Sequence, residues 1–432
     1  MIETIWRAKT GGKQQVGSEQ DMARIGIAGA GIIGCATAVH LIEQGHDVTV
    51  FEKDLGGLPA SVGNAGILAV PEIDPLARPD MILSAPKWLL DPLGPLTLRW
   101  QDLPALTPWL VSLLMAATPA RVKHSRIALL GLMREALGAH EDLALMTGLS
   151  GHMTPTGALT IYDSEKAVDD AFRHSRENAA LLGYTVEKLD VKQARARVPA
   201  LEGNFAGGVL SAGYQTFLDP LALLRHLQAY VRERATLVDA AVESVRQEAN
   251  GVTFLATGEA PATFDKVVIA AGVWSRTLVR QLGLRVLLET ERGYNTTFTN
   301  PQVTLDLPVF FAEHGFVATP LRNALRVGGA VELAKPEAPA NFARAAAMRQ
   351  KMRRYVPSLP ETGGTEWMGR RPSTPDSVPV ISLCPADPRI ALAFGHGHLG
   401  LTLSAITGRK IAQLLNSGET PDLGPFSIQR FQ

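Results

Sequence analysis

The stretch at residues 24–54, RIGIAGAGIIGCATAVHLIEQGHDVTVFEKD, constrains the fold of this chain more than any other. It opens with an apolar run at 25–28, continues through the glycine spacing G-x-G-x-x-G, and ends with a β-branched run that closes on Glu52. The three glycines are Gly29, Gly31 and Gly34. Strand-type runs on either side of a glycine turn and a helix-type segment predict a βαβ unit.

The glycine pattern has a mechanical explanation at each position. Gly29 permits the tight turn, Gly31 lets the backbone approach a pyrophosphate, and Gly34 lets the helix pack closely on the strand. The helix N-terminus adds free N–H groups and the positive end of its dipole. Glu52 lies at about the spacing, roughly 20 residues, of the carboxylate that binds ribose hydroxyls. These residues predict a dinucleotide site and leave open which dinucleotide it binds.

Size and charge exclude several other classes of protein. At 432 residues the chain has room for two or three domains. Lysine plus arginine and aspartate plus glutamate both number 42, which leaves no net charge to attract nucleic acid. Cys35 and Cys384 have no metal-site or disulfide spacing and fit a reducing compartment, so we expect a cytoplasmic protein without a bound metal. Residues 1–23 are polar and lack a signal-peptide pattern, and we predict a disordered extension there.

An apolar segment rich in leucine, proline and tryptophan covers residues 81–118. Three explanations stay open for it: a helical cap over an active site, a face that rests on the inner membrane, or ordinary core packing, which is commoner. Its uncharged part, 103–120, contains three prolines. These are expected to leave only residues 109–118 as uninterrupted helix, about 15 Å long against a hydrocarbon core of roughly 30 Å. We therefore predict that the segment does not span a membrane.

The rest of the chain alternates between two kinds of pattern. Residues 121–147 predict an amphipathic helix with four apolar residues at helical spacing. The four are Ile127, Leu130, Met133 and Leu137. Residues 267–271 and 389–394 predict buried strands that enter glycine turns, the second followed by a helix over 401–415. Short strands at 286–290, 295–298, 309–311, 316–319 and 325–331 predict an antiparallel sheet. The predicted fold class is α/β combined with α+β.

Six motifs, taken in order, resemble the family of FAD-dependent D-amino-acid oxidases and dehydrogenases, which includes glycine and sarcosine oxidases. They are GAGIIG (29–34) with Glu52, SVGNAGIL (61–68), DKVVIAAGVWS (265–275), RVGGAVE (326–332), GRRPSTPD (369–376) and GHGHLGLTLSAITG (395–408). The resemblance implies a discontinuous Rossmann-like FAD-binding domain and a substrate or cap domain with a mixed antiparallel sheet. The first is assigned to 24–76, 205–284 and 366–432, and the second to 77–204 and 285–365.

The same resemblance implies that the dinucleotide is FAD and indicates which residues hold it. Besides the glycine turn, the adenosine and pyrophosphate would be held by Ile32, Ile33, Glu52, Lys53 and the backbone of Val242. The flavin and its ribityl chain would lie by Ala60, Ser61, Asn64, Ala65, Gly66, Ile67 and Gly272. The loop closing over the isoalloxazine would be His396, Gly397, His398, Leu399, Gly400, Leu401 and Thr402, with a helix from Leu401 pointing its N-terminus at the flavin. Sarcosine oxidases tether the flavin through a cysteine where this chain has Gly369, so the FAD is expected to be non-covalent.

The substrate is implied to bind at Arg371. A guanidinium binds a carboxylate with two charge-assisted hydrogen bonds at once. The alternative for Arg371 is a structural ion pair, with Arg370 as the second candidate for the substrate arginine. Tyr294 is expected to close over the substrate or bind its carboxylate, or else to be a packed sheet aromatic. His398 aligns with a second polar contact near the substrate, or is an ordinary loop histidine.

The family implies oxidation of a D-amino acid, with hydride transfer from Cα to flavin N5 and an imine as product. Small or cyclic substrates such as D-proline or D-hydroxyproline are favoured. Residues 85–100, APKWLLDPLGPLTLRW, further resemble the small-subunit type of bacterial D-amino-acid dehydrogenase, which implies a quinone or the respiratory chain as electron acceptor. Two alternatives stay open: an O₂-using oxidase of glycine or N-methyl amino acids, and a non-catalytic nucleotide-binding sensor.

Overall fold

The structure is a computed structural model, and it describes residues 22–89, 91, 93–418 and 421–432. The extension predicted at 1–23 therefore lies outside the described residues, apart from Met22 and Ala23. The helices are α1 (Ile32–Glu43), α2 (Pro79–Leu89), α3 (Leu103–Ala116), α4 (Pro119–Thr147), α5 (Glu165–Leu182), α6 (Val191–Arg197), α7 (Pro220–Arg234), α8 (Ser275–Gln281), α9 (Ala343–Arg353) and α10 (Ser404–Ser417).

The strands, like the helices, are numbered in chain order. They are β1 (Arg24–Ala28), β2 (Asp47–Glu52), β3 (Ile67–Ala69), β4 (Leu96–Leu98), β5 (Met153–Thr154), β6 (Ala158–Tyr162), β7 (Val186–Leu189), β8 (Gly207–Ser211), β9 (Tyr214–Phe217), β10 (Thr236–Asp239), β11 (Val242–Glu248), β12 (Gly251–Ala256), β13 (Ala262–Phe264), β14 (Lys266–Ile269), β15 (Glu289–Thr299), β16 (Val309–Phe311), β17 (Phe316–Leu321), β18 (Ala324–Leu333), β19 (Thr365–Ser373), β20 (Val380–Cys384) and β21 (Asp387–Phe394).

A six-stranded sheet in the described part of the chain carries the opening βαβ unit. Its order is β10-β2-β1-β14-β21-β20, and every neighbouring pair is parallel except β20 with β21. Its strands come from the start, the middle and the end of the chain, so the sheet is discontinuous, as the sequence predicts. β1 is apolar on both faces because helices and a second sheet cover it, and Ile25 and Ile27 are fully buried. The residue boundaries predicted for the two domains stay a prediction.

A larger mixed sheet lies beside it. Its order is β19-β15-β18-β17-β16-β6-β8-β7, with β4 paired to β18. The pairs β16–β6 and β18–β4 are parallel, and the others are antiparallel. Where the sequence predicts two strands at 286–290 and 295–298, the structure has the single strand β15. The polar stretch between them joins the strand because β18 and β19 pair with it on both sides, and tertiary pairing outweighs local propensity there. The remaining strands form two small antiparallel sheets, β11-β12-β13 and β3-β9-β5.

The apolar segment forms α2, β4 and α3. The prediction that proline leaves only 109–118 as helix is wrong, because α3 begins at Leu103 and continues through Pro108. Leu106 and Trp109 are buried against Leu333 of the large sheet, whereas Val111 lies on the opposite, exposed face. The segment thus packs as a cap on one face and presents apolar side chains on the other.

A bent pair of helices in the described part of the chain has the length to span a membrane. Among the described residues no single helix is long and apolar enough to cross a bilayer. The segments Trp100–Ala116 and Pro119–Thr147 meet the length and composition criteria together, but the chain bends by 92° between them.

α4 forms as predicted, and three of its four predicted apolar residues, Leu130, Met133 and Leu137, pack on the core. Ile127 is 59% exposed, so its assignment to the apolar stripe is wrong. The buried face also contains Leu129, Leu132 and Leu143, together with small residues and His140. A hydrophobicity pattern does not predict the burial of His140, because the carbonyls that satisfy it come from the far end of the chain.

Candidate active site

The glycine turn between β1 and α1 has no room for side chains at two positions. Gly29 has a φ of +110°, and a Cβ atom there would lie 2.5 Å from the carbonyl oxygen of Ala270. A Cβ atom on Gly34 would lie 1.8 Å from the carbonyl oxygen of Gly29. α1, which includes Ile32 and Ile33, starts directly after this turn. The N-terminus of α1 therefore lies at the turn, and a helix N-terminus favours phosphate binding.

Glu52, the last residue of β2, lies beside this turn. Its Oε2 accepts a hydrogen bond from the N–H of Ala30 at 2.8 Å, and its Oε1 accepts one from the N–H of Lys53 at 3.0 Å. Burial raises the pKa of the Glu52 carboxyl, and these N–H donors oppose the rise. The Lys53 ammonium lies 3.0 Å from the centroid of the Trp274 ring, in the short 3-10 turn that begins at Gly272. Glu52, Lys53 and this turn are thus brought together.

Val242 begins β11, in a separate sheet. It is half-buried against the apolar cluster that contains Phe51, the residue before Glu52. Its predicted backbone contact with adenine stays a prediction.

The small-residue loop at 60–67 joins the two large sheets. On one side, Ser61 Oγ accepts a hydrogen bond at 3.2 Å from the N–H of Ile32, at the start of α1. On the other, the carbonyl of Gly63 accepts one from Asn295 Nδ2 at 2.8 Å, and Arg326 donates to the carbonyl of Val62 at 3.1 Å. Within the loop, the Asn64 side chain donates to the Ser61 carbonyl and accepts from the N–H of Gly66. This loop, which also contains Ala60, Ala65 and Ile67, thus connects the start of α1 to the large sheet.

His140 holds the loop at 396–402, a role that the sequence does not indicate. Its Nε2 lies 3.0 Å from the carbonyl oxygen of Leu401 and 3.2 Å from that of Thr402. Carbonyls only accept, so Nε2 carries the proton, and burial lowers the pKa of His140 to about 4, which keeps the ring neutral. α10 begins at Ser404, so the helix start predicted at Leu401 is wrong; residues 401–403 form a turn.

Further contacts attach this loop to both of its neighbours. Thr402 Oγ1 accepts from the N–H of Ala69 at 3.0 Å, and His396 forms an isolated bridge with Ser373 of β19. His396 Nε2 lies 2.9 Å from Thr407 Oγ1 within α10. The short turn Gly397–Leu399, followed by Gly400, is thereby held next to the strand that carries Arg371.

Arg371 lies on one face of the large sheet, beside a clearing, which is the space left open because Gly293 and Gly369 have no side chains. In the register of β15 and β19, Glu291 lies opposite Arg371 and Gly293 lies opposite Gly369. The guanidinium leans over Gly293, where a Cβ atom would lie 2.4 Å from Nη2 of Arg371. A cavity of about 50 Å³ adjoins it, bordered also by Gly63 and Ala65 of the small loop. Burial lowers the pKa of Arg371 and Glu291 opposes this, but an arginine remains a cation at any physiological pH.

Trp367 forms one wall of this clearing. It faces the same side as Arg371 because it lies four residues away on β19, opposite Asn295. A Cβ atom on Gly369 would lie 1.9 Å from Trp367 Cη2, and one on Gly63 would lie 2.1 Å from Trp367 Cε3. The indole ring therefore lies between the sheet and the small loop and limits the space beside Arg371.

Tyr294 and Arg370 have other partners. Tyr294 borders the cavity, but its hydroxyl donates to Glu332 Oε2 at 2.5 Å and accepts from the N–H of Asn341 at 3.1 Å. A hydroxyl engaged twice is not free for a carboxylate, so the structure favours the packed tyrosine, and the substrate contact stays a prediction. Arg370 donates through Nε to the carbonyl of Pro336 at 2.7 Å, on the face opposite to Arg371.

His398 is exposed, in the loop beside Arg371. Its predicted contact with substrate stays a prediction. Among the described residues, no group of three or more histidine, cysteine, aspartate or glutamate side chains has an arrangement that could hold a metal ion.

These contacts form a continuous path from Glu52, past the start of α1 and the small loop, to Arg371. A sheet with a glycine turn, joined through two loops to a mixed sheet that presents an arginine, is an arrangement suited to a dinucleotide and an anionic substrate. The sequence model of the family described as FAD dependent oxidoreductase matches residues 24–414. The chain therefore belongs to this family of FAD-dependent oxidoreductases, and it is an enzyme with FAD as its cofactor.

Named relatives resemble the chain over almost its whole length. A D-amino-acid oxidase of Bradyrhizobium diazoefficiens is 34% identical over 417 residues, covering 94% of this chain and 98% of the relative. A D-amino acid dehydrogenase of Methylobacterium nodulans is 30% identical over 414 residues, covering 93% and 96%. The crystal structure of glycine oxidase from Geobacillus kaustophilus superimposes with a TM-score of 0.72 at 25% identity, covering 95% and 99%. The recognition of the family and the fold class are thereby confirmed.

The residues along the path suit FAD without a covalent bond. Gly369 has no side chain to form a tether, and both cysteines, Cys35 and Cys384, are buried. Burial also raises the pKa of the Cys35 thiol well above its ordinary value, which keeps it unreactive. We expect acid precipitation of the purified yellow protein to release all of its flavin into the supernatant, measured by absorbance. A pellet that retains the flavin after washing in denaturant would contradict this prediction.

Proposed function

We propose that the protein oxidises a small D-amino acid to its imine. The observation that carries this proposal is the Arg371 guanidinium lying over the clearing at Gly293 and Gly369, next to the loop expected to hold the flavin. It would hold the substrate carboxylate through its two parallel N–H groups. Two relatives at 34% and 30% identity are named for D-amino acids, and this supports both the substrate class and its D configuration.

Positioning supplies most of the catalysis in this scheme. When bound, FAD supplies a hydride acceptor for the substrate Cα–H. Arg371 orients the substrate by its carboxylate, and His140 orients the loop at 401–402 by two hydrogen bonds. α3 covers the neighbouring part of the sheet with Leu106 and Trp109, and this apolar cover excludes water.

The substrate side chain in this proposal is small or cyclic, as in D-proline or D-hydroxyproline. The Trp367 indole borders the clearing beside Arg371 and restricts the space there. A compact side chain suits that restricted space.

We further propose that the protein is cytoplasmic, contacts the inner membrane, and passes its electrons to a quinone-type acceptor there. Val111, Leu114 and Met115 on the outer face of α3 are 50%, 55% and 48% exposed. The exposed Arg121, Lys123 and His124 follow at the start of α4, and no acidic residue occurs between 103 and 134. An apolar face flanked by basic side chains suits an anionic lipid surface.

We expect the wild-type protein to sediment with vesicles that contain phosphatidylglycerol, and less with vesicles of phosphatidylcholine alone. The double variant Leu114→Ser with Met115→Ser should bind several-fold more weakly, because burial of apolar side chains drives the contact. Leu145→Ser, at an 81% exposed leucine near the end of α4, is the control and should bind like the wild type. Equal binding by all three proteins would argue against α3 as the contact.

The deciding experiment is an anaerobic panel of D- and L-amino acids, with glycine and sarcosine, watched by bleaching of the flavin absorbance. We expect small D-amino acids and D-proline to bleach it fastest. Bleaching only by L-amino acids, or by none, would overturn the proposal. Under air, rapid peroxide formation would identify the alternative, an O₂-using oxidase, whereas reoxidation by a soluble quinone without peroxide supports the dehydrogenase.

A further inference from the structure

Glu291 is a buried carboxylate that the scheme above leaves without a task. It lies on the same face as Arg371, directly opposite it across the β15–β19 pair. It is only 6% exposed, and its Oε2 is buried with no hydrogen-bond partner. Buried carboxylate oxygens almost always have a partner, so this one needs an explanation.

The obvious partner, Arg371, turns away from it. Cross-strand neighbours of opposite charge normally pair. Here the guanidinium leans along the sheet over Gly293, and no ion pair of 4.0 Å or less joins Arg371 to Glu291 among the described residues. A cation and a carboxylate therefore lie side by side on one face without forming an ion pair.

On the β18 side, Glu291 has an apolar neighbour. Leu333, its neighbour on β18, packs against Leu106 and Trp109 of α3. Ser373 lies near Glu291, but its Oγ also lacks a hydrogen-bond partner. Burial raises the pKa of the Glu291 carboxyl, and Arg371 and Ser373 offset only part of that. The resting protein thus provides too little positive charge for this carboxylate, and a bound cation would provide it.

We infer that Glu291 binds the α-ammonium group of the substrate while Arg371 binds its carboxylate, so that the two residues together recognise an amino-acid zwitterion. The inference rests on the proposed function and deepens it. An α-amino acid carries its two charges on adjacent carbon atoms, which matches a cation and a carboxylate presented as cross-strand neighbours. Holding both groups also fixes the direction of the Cα–H bond, because two anchors leave the substrate little freedom to rotate.

Two ligands of the same shape can test whether Glu291 recognises the substrate ammonium or has only a structural role. α-Aminoisobutyrate is a zwitterion, and pivalate has a methyl group in place of its ammonium. Neither has a Cα–H bond, so neither is oxidised, and binding to the holoenzyme is measured from the flavin absorbance change. We expect Glu291→Gln to weaken binding of α-aminoisobutyrate by about tenfold or more, the size expected for a charge-assisted hydrogen bond. The affinity of the Glu291→Gln variant for pivalate should differ from that of the wild type by less than about threefold.

The control variant is Glu289→Gln, since Glu289 lies two residues earlier on the same face but pairs with Arg276. It removes a buried carboxylate of the same strand and should leave the ratio of the two affinities unchanged. If Glu291→Gln weakens both ligands equally, or neither, the inference is overturned. Should that variant fail to fold, the wild type still decides: pivalate binding as tightly as α-aminoisobutyrate would refute a carboxylate that recognises ammonium.

The outcomes also separate this inference from the proposed function. If amino acids bleach the wild-type flavin but Glu291→Gln treats both ligands alike, only the inference fails. If no amino acid bleaches the wild-type flavin and neither ligand binds it, the proposed function fails and the inference fails with it.

Discussion

Arg371→Ala is expected to lower kcat/KM for amino-acid substrates by roughly 30-fold to several thousand-fold, equivalent to about 2–5 kcal/mol, as when one partner of a buried charge pair is removed. The guanidinium is the cation that leans over the glycine clearing, so its loss leaves a substrate carboxylate desolvated without a partner. The effect should fall mainly on KM, because the carboxylate bond forms on binding and persists through the reaction. Steady-state assays with a soluble quinone or dye acceptor measure both constants.

Arg370→Ala is the matched control. Arg370 precedes Arg371 on β19 but points to the opposite face, where its Nε donates to the carbonyl of Pro336. Its removal should leave kcat/KM within about threefold of the wild type, the effect of a surface-type contact. Arg371→Lys should recover only part of the loss, because lysine keeps the charge but not the planar fork. An unchanged kcat/KM in Arg371→Ala would remove Arg371 from the site.

Gly34→Ala should yield protein with little or no bound flavin. The added Cβ atom would lie 1.8 Å from the carbonyl oxygen of Gly29, which is backbone and cannot rotate away. α1 would have to move off β1, and that displacement moves the helix N-terminus from the position expected for the pyrophosphate. We expect a loss of roughly 1–3 kcal/mol in the free energy of unfolding, as for an overpacked core, and a large fall in the flavin-to-protein ratio. Absorbance and denaturant unfolding measure the two effects.

Gly131→Ala provides the comparison within a helix. Gly131 lies on the exposed face of α4, and a Cβ atom there would meet nothing within 4 Å. Alanine should stabilise the protein there by roughly 0.4–1 kcal/mol and leave the flavin content unchanged. Full flavin occupancy in Gly34→Ala would show that the close approach of α1 to the turn is not needed for binding.

The sequence predicted most reliably where function depends on consecutive residues. The G-x-G-x-x-G turn and Glu52 lie within one local βαβ unit, and the structure has β1, α1 and β2 in that order. The strands before the other two glycine segments were also predicted, since both are short, apolar and bounded by glycine. Residue roles toward FAD and substrate stay predictions, although the structure brings Glu52, Ser61 and Arg371 onto one path.

The wrong predictions share a physical cause. Pro108 does not end α3, and Gly293 does not divide β15, because packing partners on either side compensate for the poor local propensity. Leucines dominate the buried face of α4, but Ile127 is exposed and His140 is buried because the neighbouring elements decide the edges of that face. None of these partners is close in sequence.

The sequence by itself predicted a dinucleotide site, because the glycine turn and the strands beside it are local, and its motifs implied the discontinuous architecture and the candidate arginine through the family that they resemble. Only the tertiary structure decided which side chains share a face with Arg371. Glu291 and Arg371 are 80 positions apart in the chain, from 291 to 371, yet they are cross-strand neighbours. A change of one residue in the pairing register would move Glu291 to the other face, and register depends on long-range strand pairing that no local pattern specifies.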